Sequence, residues 1–78
     1  MAEDFEYEFR MIGLKIAYYR KAHNPPLTQE QLAELSNISD RHVRNLESYC
    51  KNPSSTVLCR ISHALDVPME ELMTIVPE

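Results

Sequence analysis

The sequence predicts an all-α fold of five helices, with a helix-turn-helix formed by the second and third. Three observations carry this. Apolar residues recur at spacings of three and four, and no segment shows the alternation of a strand. Ser or Thr stands as a cap just before an apolar period at Thr28, Ser39 and Ser54. Prolines at Pro25-Pro26 and Pro68 break the chain between the periods.

The first helix is expected from Asp4 or Phe5 to Ala22. Phe5, Phe9, Ile12, Ile16 and Tyr19 fall on one face of it. The early carboxylates suit the positive end of a helix. Gly13 weakens the helix locally by about 1 kcal/mol relative to Ala, which close packing of another helix would explain. Phe9 and Tyr19 read as core, whereas Phe5 and Tyr7 lie near enough to the terminus to meet a partner.

Thr28 to Glu47 organises the rest. Thr28 and Gln31 form a capping box, and Leu27 and Leu32 are placed as its hydrophobic staple. The second helix runs from Gln29 to about Leu35. Ser36-Asn37 is a sharp turn, with Asn37 suited to the left-handed conformation. Ser39 caps the third helix, from Asp40 to about Ser48, with Ile38 before it and Val43 in its fourth position. Leu32, Ala33, Leu35, Ile38, Val43 and Leu46 are expected as the buried stripe. Two short helices joined so tightly make a helix-turn-helix. Tyr49 to Pro53 is a loop. Ser54 caps a fourth helix from Ser55 to about Leu65, with Val57 or Leu58, Ile61, Ala64 and Leu65 on its core face. A fifth runs from about Met69 to Ile75.

Composition bounds the function. Seventy-eight residues, 44% apolar and 26% charged, make one small globular domain rather than a disordered chain. No apolar run approaches the length of a membrane span, and the acidic start argues against a leader, so a cytoplasmic protein is expected. In that compartment Cys50 and Cys59 read as free thiols. The net charge of −4 is unevenly placed. Residues 1–9 hold four carboxylates and no Lys or Arg, and residues 66–78 the same. Every Lys and Arg lies in residues 10–65, so the body is basic and the ends are acidic. Accordingly residues 1–9 read as an acidic, aromatic extension of the first helix, and residues 10–76 as the helix-turn-helix domain.

From about Ile12 to about Leu72 the chain resembles the phage-repressor or Cro-like family, the XRE-type helix-turn-helix domains. The resemblance is carried by Leu14, Arg20, LTQEQLA at 27–33, NIS at 37–39 and V-x-x-LE at 43–47. It continues with Pro53-Ser54 and I-x-x-ALDV at 61–67. Two places depart from the pattern. The loop before Leu27 carries Pro25-Pro26, and Ser48-Tyr49 follows Glu47 where the family usually has Gly or Asn. The resemblance implies a lambda-repressor-like fold and sequence-specific binding of double-stranded DNA, with the third helix in the major groove.

The residues support that chemistry. Arg41, Arg44, Asn45 and Ser48 share one outward face. Arg can pair bidentately with guanine and Asn with adenine, so Arg41, Arg44 and Asn45 are the candidates for base contact. Asp40 could accept from cytosine, or serve only the helix dipole. Thr28 and Gln29, whose N–H groups open a helix, are candidates for phosphate contact, with Ser39, His42, Ser48 and Lys51 beside them. By resemblance, Arg20 and Glu47 are a structural pair joining the ends of the first and third helices.

A homodimer on a palindromic operator is expected, because one recognition helix offers few base contacts. Its interface is expected outside residues 10–48, among Met69, Leu72, Met73 and Ile75 of the fifth helix or the leading aromatics Phe5, Tyr7 and Phe9. Cys59 and His63 stand one helical turn apart near Cys50, but a fourth ligand and the usual zinc spacing are missing, so no metal or other cofactor is expected. No residues assemble as a catalytic set. The expected function is a transcriptional regulator, a repressor occupying its operator. The alternative is a protein-interaction module, such as the antitoxin of a toxin–antitoxin pair or a small adaptor with a protein partner.

Overall fold

The structure is a computed structural model that describes residues 6–48, 50 and 53–73. The described residues form five helices: α1 (Glu6–Ala22), α2 (Gln29–Ser36), α3 (Asp40–Ser48), α4 (Ser55–Leu65) and α5 (Met69–Met73). Phe5, Tyr49, Lys51 and Ile75, all used above, lie outside the described residues. α3 packs against both α1 and α2, α4 against α2, and α5 closes over α1 and α4.

The caps form as their residue types require. Thr28 Oγ1 accepts from the Gln31 N–H at 3.0 Å, and Gln31 Oε1 accepts from the Thr28 N–H at 2.9 Å. Ser39 Oγ accepts from the His42 N–H and Ser54 Oγ from the Val57 N–H. α2 ends on Asn37 in the left-handed region, and Ile38 N–H reaches back to the Ala33 carbonyl. α4 ends the same way on Asp66, with Val67 N–H on the Ser62 carbonyl. After α1 the chain turns through His23–Pro26, where the Asn24–Pro25 peptide is cis, and Leu27 N–H returns to the Arg20 carbonyl.

One core joins the helices. Ile12 and Ile16 of α1 meet Leu32 and Ala33, Val43 and Leu46, Leu58, Ile61 and Leu65, and Leu72 of α5. Phe9 and Tyr19 pack against it, partly buried. Two expectations need correction. Leu35 is 59% exposed and is not part of the buried stripe. Leu32 sets that stripe, and the position one turn on is Ser36, so α2 buries a serine in its last turn while Leu35 points away. Leu72, one of the residues among which the interface is sought, lies on the inner side of α5, fully buried, and has no surface for a partner.

The exit from α3 differs from what the family pattern suggests. The left-handed residue is Cys50, at φ 45°, and its N–H bonds the Asn45 carbonyl at 3.0 Å. Its side chain is buried against Gly13. Burial pushes the thiol from 9.0 up to about 11, against a smaller opposing effect of a bond with the Gly13 backbone. The folded form therefore holds this proton more tightly than the unfolded chain. That contribution to stability is present below about pH 9 and is lost as the pH rises through about 11. Cys59 is exposed. A thiol reagent at pH 8 is expected to modify Cys59 at once and Cys50 only as the chain unfolds. Equal labelling rates at the two positions would contradict the burial of Cys50.

Candidate nucleic-acid interface

The sequence of α3 divides it into two faces. Val43 and Leu46 are buried, so the remaining positions must turn outward. Arg41, His42, Arg44, Asn45 and Ser48 are all exposed, and Asp40 is half-buried. The face therefore presents two guanidinium groups, one carboxamide and one hydroxyl, all able to donate to base edges or phosphates.

Arg44 and Asp40 are not independent. Arg44 Nη2 donates to Asp40 Oδ2 at 2.8 Å, one helical turn apart and open to solvent. An exposed pair of this kind adds little stability, about 0.3–0.5 kcal/mol. Its effect is on geometry. The carboxylate draws the guanidinium toward the start of α3 and leaves its other N–H donors for a base. Asp40 thus acts on Arg44 as well as on the helix dipole.

A second pair fixes the opposite face. Arg20 Nε and Nη2 donate to Glu47 Oε2 and Oε1 at 2.6 and 2.9 Å, and both side chains are nearly buried. Arg20 Nη1 also holds the Leu27 carbonyl at 2.9 Å. Gln29 Nε2 completes the group, donating to Glu47 Oε1 at 2.9 Å. The end of α1, the loop before α2, the start of α2 and the end of α3 are thereby tied at one point. Arg60 makes a further tie, from Nη1 to the Asn37 carbonyl at 3.2 Å, between α4 and the turn.

These bonds revise the phosphate candidates. The Thr28 N–H is taken by Gln31, so only the Thr28 hydroxyl proton remains to donate. The Gln29 amide is committed to Glu47; its backbone N–H, at the helix start, lacks an intrahelical acceptor by geometry. Ser39 Oγ accepts within its own helix and keeps its hydroxyl proton for a phosphate. The roles of Gln29 and Arg60 were not read from the sequence. A glutamine one residue after a Thr cap is a signal too common to single out, and Arg60 bonds a backbone carbonyl that no side-chain pattern reveals.

Elsewhere, Cys59 and His63 line an open depression of about 430 Å³ with Leu35, Ser36, Asn37 and Arg60. Among the described residues no group of three His, Cys, Asp or Glu is placed to hold a metal ion. None of the helices is long and apolar enough to cross a membrane among those residues. On α5, Met69 is partly buried and Met73 is 48% exposed.

Five helices with an outward donor-rich α3, held from behind by an ion pair, define a helix-turn-helix domain. The helix-turn-helix family model matches residues 16–72, and the chain belongs to that family, the XRE-type DNA-binding regulators. Among solved structures it is similar to the restriction-modification controller protein C.AhdI from Aeromonas hydrophila, with 29% sequence identity and a TM-score of 0.77. That likeness covers 85% of this chain and 97% of the other. Comparison with curated proteins finds no match.

Proposed function

We propose that this protein is a repressor that binds its operator as a homodimer, with α3 in the major groove. The observation that carries the reading is the two-sided construction of α3. Its rear is locked through Glu47 to Arg20, while Arg41, Arg44, Asn45 and Ser48 face outward on one turn-to-turn line. A helix so held can present donors at reproducible positions, which base readout requires. Arg41, Arg44 and Asn45 contact bases, with Asp40 directing Arg44. The Ser39, Thr28 and Ser48 hydroxyls, the Gln29 N–H and the His42 ring contact phosphates. Likeness to a restriction-modification controller supports a role in gene control. One domain offers a single recognition helix, so two copies set about 34 Å apart would read a palindrome.

Selection of bound duplexes from a random pool tests this. A recovered palindrome is the expected result, and a pool with no enriched sequence would refute it. Arg44→Ala and Asn45→Ala are each expected to cost about 1–3 kcal/mol in specific binding and to relax preference at one base position. Circular dichroism should not change. Undiminished operator affinity in both variants would remove α3 as the reading surface.

A further inference from the structure

The outward face of α3 carries one group of the opposite kind. Arg41, Arg44, Asn45 and Ser48 can all donate, whereas the Asp40 carboxylate accepts. Asp40 is the first residue of α3, the end at which recognition helices contact base edges. A carboxylate there opposes the phosphates and weakens binding to a duplex of any sequence. The groups it can accept from in the major groove are few. Cytosine N4 and adenine N6 donate, while guanine and thymine present only acceptors and a methyl group.

Its bond to Arg44 makes the two side chains one unit. Arg44 Nη2 donates to Asp40 Oδ2 at 2.8 Å, and the side chains are 58% and 40% exposed, so a duplex reaches both. Asp40 Oδ1 and the other Arg44 N–H groups are left for the groove, where Arg44 can pair with guanine O6 and N7. Four residues separate the two, about 6 Å along α3, and stacked base pairs lie about 3.4 Å apart. The joined side chains therefore span adjoining base pairs rather than one. Guanine or thymine under the carboxylate would set oxygen against oxygen, a rejection that the donors beside it do not supply.

We propose that Asp40 and Arg44 together select a two-base step: guanine under Arg44 and, in the adjoining pair, adenine or cytosine under Asp40. The proposal rests on the DNA-reading function above and names bases that α3 selects. Besides holding Arg44, Asp40 is then a specificity-determining residue that excludes keto bases.

Selection of bound duplexes, run with wild type, Asp40→Ala and Asp40→Asn, tests it. Affinities for the recovered sequences and for an unrelated duplex are measured alongside. Wild type should enrich guanine beside a place held by adenine or cytosine. Guanine or thymine at that place should weaken binding at least about fivefold. Asp40→Ala should accept all four bases there, hold its neighbouring guanine more weakly, and bind the unrelated duplex more tightly. Asp40→Asn, whose carboxamide both donates and accepts, should admit guanine and thymine there and keep the neighbouring guanine. Circular dichroism should not change. A role confined to the helix dipole would lower Tm in both variants and leave every base preference as it was, and that result would overturn the proposal. So would a wild type that enriches guanine with no preference beside it. A wild type that enriches no sequence would refute DNA reading itself, and the proposal with it.

Discussion

Gly13→Ala is expected to destabilise the domain by about 2 kcal/mol, although the same change in a solvent-facing helix position would stabilise it by about 1 kcal/mol. A Cβ at Gly13 would collide with the Leu46 carbonyl oxygen and stand 3.1 Å from Cys50 Cβ. The first of these is backbone and cannot rotate aside, so α3 must move away from α1. In a domain of this size the loss corresponds to a fall in Tm of about 8–16 °C. Because α3 carries the outward donors, operator affinity should fall with stability. Thermal unfolding of Gly13→Ala decides the matter: a Tm equal to or above that of wild type would show that α1 and α3 are not in this close contact.

Arg20→Met and Glu47→Leu should each cost about 3 kcal/mol, and the double variant less than the two together. In the first, Gln29 is the partner Glu47 keeps among the described residues, and the Leu27 carbonyl loses the Arg20 donor. In the second, a nearly buried guanidinium loses its carboxylate, and the Gln29 amide loses its acceptor. With both replaced by apolar groups no charge is stranded, which can be close to neutral. The pair also sets how α3 meets the rest of the domain, so the double variant should fold while losing operator discrimination. Denaturant unfolding of the four proteins measures the coupling. Single losses that sum to that of the double variant would mean the residues do not interact.

Helix placement was legible because it depends on local chemistry. Thr28, Ser39 and Ser54 cap where they stand, Asn37 takes the left-handed conformation its short polar side chain tolerates, and prolines end what they must end. The outward face of α3 was legible by subtraction, since Val43 and Leu46 leave the polar positions no alternative. The pairing of Arg20 with Glu47 came from family resemblance, and the structure realises it as two bonds.

By itself, then, the sequence determined five helices, their caps, and the third helix that turns donors outward. All of these follow from interactions spanning a few residues. Only the tertiary structure decided which side chains the core would take in and which groups were already spent. Leu35 lost its buried place to Ser36 because a turn of helix advances by 3.6 residues. Leu72 went to the core, Gln29 to Glu47, and the Thr28 N–H to Gln31. Gly13 and Cys50, distant in sequence, were brought together where α1 and α3 approach too closely for a side chain on both. Burial and partner choice depend on the packing of helices distant in sequence, and periodicity along one helix reports which residues share a face without reporting what that face will meet.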